Sequence, residues 1–417
     1  MSELEIRPVS LDDDFEAQLD LGQRAFGRYS EQQKVSWLYV ARLRASQGLF
    51  LGAFAGGVPA GAAMLHDMRQ YWLGRPVPCG GVASVKVAPE HRGRGIGRAL
   101  MTSLLELTAE RGYLLSALYP ATMPVYRSLG WELAGAKYEF TVPARSLREL
   151  AGPDTQAVAA HPPVPPVRRV SPGDAAAMIG VTARSHLAAR DAGAISWDEG
   201  PARQWLSRPD LYAYQAGDGL GDGPRDGAGA AAADGFAAYR WANGGELFVE
   251  RVHAATPGAL RALWSVIASN ASVARTVRGW TAPSDPFWWL TRERDAALSR
   301  RSMWMLRVVD VPAAIAARGF PPAVSVSVLV ELSDQARRGN AGSWQLTVAE
   351  GQGALTPNET GSSPGALTLG PRGVAALYAG TPLATLRMAG LVSGGGPDAD
   401  AALDAAFAAT PYMVDDF

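Results

Sequence analysis

The feature that most constrains the fold is the segment from residue 81 to residue 101, which reads as a strand, a glycine-rich turn and the start of a helix. Residues 84–87 alternate polar and apolar side chains, as in a half-buried strand. Val82 is out of phase with this alternation, and a β-bulge between the two sets explains the offset. We therefore predict a bulged strand that ends before Pro89, because proline has no N–H for the ladder.

The turn between this strand and the helix is Arg-Gly-Arg-Gly-Ile-Gly, residues 92–97. Glycines let a backbone approach a ligand closely, and the unpaired N–H groups at a helix start point outward. With the helix dipole and the arginine charges, such a turn binds phosphate. The alternative is a surface turn that only carries basic side chains. The helix that follows has one apolar stripe, formed by Ile96, Leu100, Leu104 and Leu107, and this context favours the phosphate site.

Composition limits the remaining possibilities. A chain of 417 residues with 47% hydrophobic residues can form about two to four domains with substantial cores. The net charge of −1 gives no overall attraction to nucleic acid or anionic lipid. No apolar run approaches the length of a membrane span, and the first residues lack the pattern of a signal peptide. We therefore expect a cytoplasmic protein without nucleic-acid or membrane partners.

Cysteine and histidine usage restricts the chemistry further. Cys79 is the single cysteine of the sequence, which excludes an intrachain disulfide and suits a reducing compartment. The five histidines are scattered, and no spacing with carboxylates or the cysteine completes a metal site. We therefore expect no metal.

The first 150 residues surround the central motif with a regular order of elements. A strand near residues 5–9 precedes a helix that we expect Ser10 to cap. A second helix starts at Ser30, and a hairpin over residues 49–68 leads to the central strand. After the glycine-rich turn and its helix, residues 114–119 form a further strand, followed by a short helix and strands as far as residue 142.

Beyond a proline-rich linker at residues 162–166, the chain repeats its opening. Residues 6–13 (IRPVSLDD) match residues 167–174 (VRRVSPGD), so Ser171 corresponds to Ser10 at an offset of 161. A strand over residues 245–252 and the helix after it continue the correspondence. Residues 253–258, however, replace the basic glycine-rich turn, so we predict a second copy of the domain without its phosphate site.

Three further segments complete the domain organisation. The segment from Gly217 to Asp234, rich in glycine, alanine and aspartate, is predicted to be a mobile hairpin loop. We expect the aromatic cluster at residues 286–290 to be core or interface. From Met303 onward, strands precede helices, which indicates an α+β domain.

In this context the loop at residues 92–97 resembles the pyrophosphate loop of the GNAT N-acetyltransferase superfamily, which holds acetyl-CoA. The domain order, the segment Pro-Ala-Thr-x-x-x-Tyr-Arg at residues 120–127 and the aromatic last residue resemble the Eis (enhanced intracellular survival) family of acetyltransferases. The resemblance implies a mixed α/β, or α+β, architecture. It comprises a catalytic GNAT domain over residues 1–150, a degenerate GNAT domain over residues 151–302 and a sterol-carrier-protein-like domain over residues 303–417.

Acetyl transfer to an amine needs a base, because an amine with a pKa near 10.4 is almost all ammonium at neutral pH. The departing thiolate needs a proton, and Tyr126 carries a phenol hydroxyl that can supply one. The alternative is a tyrosine that only packs at a helix start. The resemblance implies Tyr126 as general acid and the terminal carboxylate of Phe417 as general base.

The resemblance also implies the binding residues. Those for acetyl-CoA are Val85, Lys86, Val87, Arg92, Gly93, Arg94, Gly95, Ile96, Gly97, Arg98, Ala121 and Thr122. Those for the amine are Phe26, Trp37, Trp197 and Asp416. His91, beside the loop, is read as a contact to diphosphate or solvent. The sequence departs from the family at Arg28, where an acid would hold an amine, and at Ser84, which replaces a larger apolar wall.

The sequence therefore predicts an acetyl-CoA-dependent N-acetyltransferase. Its substrate would be a primary amine, either an aminoglycoside-like polyamine or a lysine side chain. Family members form hexamers, so the resemblance implies a homo-oligomer. Two alternatives belong to other classes of protein. One is a CoA-binding sensor or scaffold without turnover, and the other is a lipid-binding protein that works through its last domain.

Overall fold

The structure is a computed structural model that describes residues 4–151, 163–217, 233–292, 294–359, 361 and 365–417. Contacts divide the chain into two compact units. The first unit runs to Gly135 and includes Met303–Pro411 and Phe417, and the second comprises Ala136–Ser302 and Tyr412–Asp416. Pro162 and nearly all of the loop predicted between Gly217 and Asp234 lie outside the described residues.

The amino-terminal part of the first unit confirms the predicted order of elements. These are β1 (Leu4–Pro8), α1 (Phe15–Phe26), α2 (Glu31–Ser46), β2 (Phe50–Ala55), β3 (Val58–Trp72), β4 (Arg75–Val87), α3 (Ile96–Glu110), β5 (Leu115–Leu118) and α4 (Pro124–Arg127). The sheet runs β1-β2-β3-β4-β5. Neighbouring strands are antiparallel except β4 and β5, which are parallel.

The two amino-terminal helices begin at side-chain caps. Ser30 caps α2 through a capping box, as its position predicted. The prediction that Ser10 caps α1 is wrong, because the Asp14 carboxylate accepts the N–H groups of the first helical turn. Ser10 instead belongs to the preceding turn, where its N–H donates to the carboxylate of Asp13 at 2.7 Å.

Helix α3 packs its predicted stripe onto the sheet of the first unit. Ile96, Leu100 and Leu104 are buried among core side chains that include Leu65 and Trp131. Burying apolar surface in this way stabilises the fold by roughly 25 cal/mol per Å². The helix therefore holds the glycine-rich turn that precedes it against the end of β4.

The second unit contains the second copy of this arrangement. Its elements are β6 (Glu132–Pro143, from Ala136 onward), β7 (Val167–Arg169), α5 (Ala175–Ala189), β8 (Ala192–Ile195), α6 (Glu199–Leu206), β9 (Leu211–Ala216), β10 (Gly235–Ala242), β11 (Glu246–Ala254), α7 (Pro257–Ser269), β12 (Thr276–Thr281) and α8 (Phe287–Leu290). The strand order is β6-β12-β11-β10-β9-β7, and β11 and β12 are parallel. Phe287 of the aromatic cluster is in the core, as expected.

The repeated opening of the chain makes the same contacts in both copies. Arg7 pairs with Asp13 at 2.7 Å, and Arg168 pairs with Asp174 at 2.5 Å. In the second copy, the Ser171 N–H donates to the Asp174 carboxylate at 2.9 Å, which matches the Ser10 turn of the first copy. The short sequence match therefore reflects a repeated structure.

The carboxyl-terminal part of the first unit is the predicted α+β domain. Its elements are β13 (Ala297–Val308, from Met303 onward), α9 (Val311–Ala317), β14 (Val326–Leu332), β15 (Gly342–Ala349), β16 (Gln352–Pro357), β17 (Leu367–Leu369), α10 (Pro371–Tyr378), α11 (Leu383–Met388), β18 (Val392–Ser393) and α12 (Pro397–Phe407). Five of its strands form a sheet in the order β16-β15-β14-β17-β18. The end of β13 pairs antiparallel with β5, and the buried guanidinium of Arg307 pairs with Asp334 and donates to the Leu129 carbonyl.

Among the described residues, no helix combines the length and the apolar character needed to cross a bilayer.

Candidate active site

The predicted bulge in β4 opens the sheet of the first unit. Ala62 of β3 faces Lys86 and Met64 faces Ala83, so β4 carries one extra residue between these pairs. Ser84 lies in that interval at φ +52°, a left-handed conformation typical of a bulge. The parallel pairing of β4 with β5 ends at Val82, and a cleft begins where the strands separate.

The glycine-rich turn leaves its backbone open to a ligand. Gly93 and Gly95 have φ values of +76° and +82°, which favour glycine. No described heavy atom lies within 4 Å of a Cβ built at either position. Gly95 is the N-cap of α3, and no side chain caps the N–H groups of the first helical turn. The diphosphate site predicted from the sequence would use these N–H groups.

The cleft brings together most of the predicted site. It encloses about 960 Å³, including space open to solvent, and its lining comprises Ala25, Phe26, Val85, Lys86, Val87, His91, Arg92, Gly93, Gly95, Ile96, Gly97, Ala121, Thr122, Val125 and Tyr126. Ala25 and Val125 were not predicted. Arg94 and Arg98 are exposed and lie outside this lining.

Tyr126 is enclosed at the cleft wall. It lies on the short helix α4, and 5% of its surface is exposed. Burial raises the pKa of its phenol above the ordinary value. The hydroxyl therefore stays protonated at neutral pH, as a proton donor must.

The last residue lies against the sheet of the first unit. The Phe417 ring is 6.1 Å from the His66 ring of β3 and 5.9 Å from the ring of Tyr119, which follows β5. A Cβ built at Gly81 of β4 would lie 2.8 Å from a ring carbon of Phe417. Gly81 therefore leaves the space that the terminal ring occupies.

Lys86 has a setting that the sequence did not reveal. Its ammonium donates to the Gln18 carbonyl at 2.9 Å and lies 4.4 Å from the centroid of the Trp37 ring. Only 3% of the residue is exposed, and burial lowers the pKa of the ammonium to about 7. Alternation placed Lys86 on one face of β4, but no local signal shows that α1 and α2 cover that face.

The other predicted amine-site residues divide between the units. Phe26, the last residue of α1, is about half exposed in the cleft, and Arg28 is exposed in the loop that follows α1. Trp197 and Asp416 belong to the second unit, so their place in the site stays a prediction. Trp197 packs there against the Arg251 guanidinium, and the Asp416 carboxylate pairs with Lys137 at 2.6 Å.

The second copy lacks the phosphate geometry for a structural reason. The Thr256 hydroxyl caps α7 by accepting the Ala259 N–H at 3.2 Å, and Pro257 removes another donor. The start of α7 therefore offers fewer free N–H groups than the start of α3. Separately, no group of three or more metal-ligating side chains occurs among the described residues.

Comparisons with protein families agree with this geometry. Residues 5–134 match one model described as "Acetyltransferase (GNAT) domain", and residues 205–308 match another with that description. Residues 311–414 match a model described as "Sterol carrier protein domain". The predicted fold class, with tandem GNAT domains and a sterol-carrier-like domain, is confirmed.

Individual relatives place the chain more closely. A GCN5-related N-acetyltransferase from Kribbella flavida is 39% identical, with a TM-score of 0.87 over 100% of this chain and 99% of that one. The "N-acetyltransferase Eis" of Mycobacterium tuberculosis is 29% identical over 321 residues, which are 74% of this chain and 73% of that protein. Eis1 from Mycobacterium abscessus shares the fold, with 21% identity and a TM-score of 0.75 over 99% of this chain and 100% of that one. The chain therefore belongs to the GCN5-related N-acetyltransferases and is an acetyl-CoA-using enzyme with the Eis proteins among its relatives.

Proposed function

We propose that the enzyme transfers acetyl directly from acetyl-CoA to a primary amine, with Tyr126 as general acid and the terminal carboxylate of Phe417 as general base. The observation that carries this proposal is the position of Phe417. The terminal ring packs on the sheet whose strands β4 and β5 separate to form the cleft of Tyr126.

Acetyl-CoA would supply a reactive thioester. Gly93, Gly95 and the first turn of α3 would hold its diphosphate through N–H groups, with Arg92, Arg94 and Arg98 adding positive charge. Val85 to Val87 and Ala121 to Thr122 would line the path of the acyl arm between the separated strands. The bulge frees backbone from the β-ladder, so an N–H near Val85 is available for the oxygen that gains negative charge.

The two catalytic groups would divide the proton transfers. A carboxylate at Phe417 would take the proton that the amine must lose before or during attack. The Tyr126 hydroxyl would give its proton to the departing sulfur, because its raised pKa keeps it protonated. The enzyme would thereby avoid releasing either a charged amine adduct or a free thiolate.

Phe26, Trp37, Trp197 and Asp416 remain the proposed contacts to the amine. Arg28 is exposed two residues after Phe26 and adds a positive charge near this side of the cleft, while the buried Lys86 beside Trp37, whose pKa is lowered to about 7, is only partly protonated at neutral pH. Positive charge disfavours a substrate with several cationic groups. Between the two predicted substrate classes, the geometry therefore supports a lysine side chain better than an aminoglycoside-like polyamine.

On the family resemblance, we also propose a homohexamer located in the cytoplasm. Light scattering of the purified protein should give about six times the mass of one chain. Cell fractionation should recover the protein with cytoplasmic markers. A monomer, or recovery elsewhere, would contradict these two proposals without affecting the chemistry.

The decisive experiment extends the chain by two glycines after Phe417, with two glycines at the amino terminus as the matched control. We expect the carboxyl-terminal extension to lower kcat by about 10²-fold or more, because it removes the base from its position. Calorimetry should show unchanged affinity for CoA. A lysine peptide, spermidine and kanamycin serve as acceptors.

Full activity of the extended enzyme would contradict the role of the terminal carboxylate. CoA binding by the native protein without turnover on any amine would instead favour the sensor or scaffold.

A further inference from the structure

The second unit has a cavity at the place that corresponds to the acetyl-CoA cleft. The parallel pairing of β11 and β12 ends at Val249 and Gly279, and Glu250 is an extra residue at a bulge in β11. The cavity lies beyond this point and encloses about 940 Å³, including its open mouth. All of its lining residues belong to the second unit. The second copy has therefore kept an opening between its strands although its phosphate turn is gone.

One buried side chain in this cavity has an unused polar atom. His253 lines the cavity and is 8% exposed, and its Nε2 has no hydrogen-bond partner within the described part of the chain. Its ring lies 4.9 Å from the His186 ring, and burial together with nearby positive charge lowers its pKa well below the ordinary value. The imidazole is therefore neutral, and a buried polar atom of this kind calls for a partner.

The cavity also contains a carboxylate that lacks a counter-ion. Asp285 lines it and accepts the Phe287 N–H at 2.9 Å, but no ion pair joins it to a cation among the described residues. Burial raises the pKa of this carboxyl to about 6, so it is mostly ionised at neutral pH. Among the neighbouring charges, Glu250 pairs with Arg240 and Arg251 pairs with Asp415. Asp191 also lines the cavity, and its carboxylate bonds to the His186 ring at 2.7 Å and accepts from the Tyr412 hydroxyl at 2.8 Å.

These features exclude one ligand class and favour another. A CoA would need free N–H groups at the start of α7, and Thr256 already satisfies the donor at Ala259. The charge left without a partner in the cavity is negative, so the complementary ligand is a cation. A neutral imidazole beside it can donate to or accept from a polar hydrogen-bonding group of that ligand.

We propose that the cavity of the second acetyltransferase-like domain binds a small organic cation, whose ammonium group pairs with Asp285 and whose polar hydrogen atoms bond to His253. The degenerate domain would then be a second ligand site rather than only a scaffold. This site is independent of the chemistry proposed for the first unit.

Calorimetry on the full chain tests this site, with CoA at saturation so that the coenzyme part of the first cleft is filled. The probes share a four-carbon chain and differ in charge: putrescine is cationic, 1,4-butanediol is neutral and succinate is anionic. We expect saturable binding of putrescine in the cavity, in addition to any binding at the acceptor site proposed for the first unit, and at least tenfold tighter than binding of either other probe. Equal affinity for putrescine and butanediol, or tighter binding of succinate, would overturn the proposal.

Two variants separate this cavity from any other amine site. Asp285→Asn removes the charge but keeps an oxygen for the Phe287 N–H, and we expect it to weaken putrescine binding by roughly tenfold or more. Ala189→Trp adds bulk at an exposed position of the lining and should block the cavity without disturbing the core. Asp20→Asn, on an exposed face of α1, makes the same charge change elsewhere and is the matched control.

Circular dichroism and retained CoA binding would establish that each variant is folded. Putrescine binding unchanged in both Asp285→Asn and Ala189→Trp would overturn the assignment. Loss in both, with none in Asp20→Asn, would support it.

Discussion

At the scale of single residues, the setting of the proposed catalytic groups comes from their neighbours. Burial raises the pKa of the Tyr126 phenol above its ordinary value, and the missing side chain at Gly81 makes room for the ring of Phe417. Neither effect is a property of the catalytic residue itself. Substitutions at these positions should therefore separate chemistry from packing.

Tyr126→Phe removes the hydroxyl and keeps the ring that fills the cleft wall. We expect kcat to fall by about 10² to 10⁴-fold, because the leaving thiolate loses its proton donor. The affinity for acetyl-CoA should change little, as calorimetry can check. Tyr39→Phe, at an exposed position on α2, is the control and should leave kcat unchanged. Equal kcat values for both variants would remove Tyr126 from the mechanism.

Gly81→Ala would place a Cβ 2.8 Å from the Phe417 ring, which displaces the end of the chain, and 2.9 Å from the terminal methyl of Met68, a contact that the flexible Met68 side chain can relieve. We expect a lower kcat with unchanged affinity for acetyl-CoA. Phe417→Ala removes the ring but keeps the carboxylate, so adding Gly81→Ala to it should cost little further activity. Gly339→Ala, where no described atom lies within 4 Å of the new Cβ, is the control. Additive losses in the double variant would show that the glycine acts elsewhere.

At the scale of elements, the strand, turn and helix from β4 to α3 together form the proposed coenzyme site. The bulge separates β4 from β5, the turn exposes its backbone, and the apolar face of α3 anchors both to the core. Each part depends on a different physical property. The bulge depends on strand register, the turn on backbone conformation and the helix on burial. Substitutions of the glycines in and after the turn test the role of backbone conformation.

Gly95→Ala and Gly97→Ala should change stability in opposite directions. Gly95 is at φ +82°, where an L side chain costs about 1–2 kcal/mol, so its replacement should lower Tm. Gly97 lies within α3 and its added Cβ would be 3.6 Å from a Val87 methyl, so alanine should stabilise by about 0.5–1 kcal/mol. Thermal unfolding checks both signs. The same sign for the two variants would contradict a conformational role for Gly95.

At the scale of the whole molecule, the two copies of the fold share structural contacts but differ at the turn before the helix. The Arg–Asp pair and its serine turn occur at the start of both copies. The phosphate turn occurs once, and a threonine cap takes its place in the second copy. Contacts that stabilise the fold are thus shared, while ligand contacts differ.

The repeated pair predicts a contribution to acid stability. The hydrogen bond from Arg7 lowers the pKa of Asp13 to about 2. In Asp174 burial raises the pKa, but the hydrogen bonds from Arg168 and Ser171 together outweigh burial and give a pKa of about 2 as well. Because both folded-state values lie below the ordinary 3.8, the stabilisation is present above pH 3.8 and is lost as the pH falls toward 2.

We expect Asp13→Asn with Asp174→Asn to lower the free energy of unfolding at pH 6 by ~1 kcal/mol per site. The difference from the native protein should shrink as the pH falls toward 2, as urea unfolding can measure. Asp12→Asn with Asp20→Asn, both at exposed positions, is the control. A difference that stays constant from pH 6 to pH 2 would contradict linkage to these carboxyls.

The sequence by itself determined the bulged strand, the phosphate turn, the apolar face of α3 and the repeat. These depend on alternation, glycine spacing and helical periodicity within short segments, so local rules suffice for them. The cap of α1 was missed because Ser10 and Asp14 are both good caps, and only the preceding turn selects between them.

Only the tertiary structure decided how distant segments meet. It places Phe417 against Gly81 and His66, covers Lys86 with Trp37, and leaves Asp285 and His253 together in a cavity. These partners are separated by tens to hundreds of residues, and their contacts follow from packing rather than from local preference. The physical reason is that the burial of a side chain depends on which elements pack against its face of the sheet. Alternation along one strand shows which residues share a face but not which elements pack against that face.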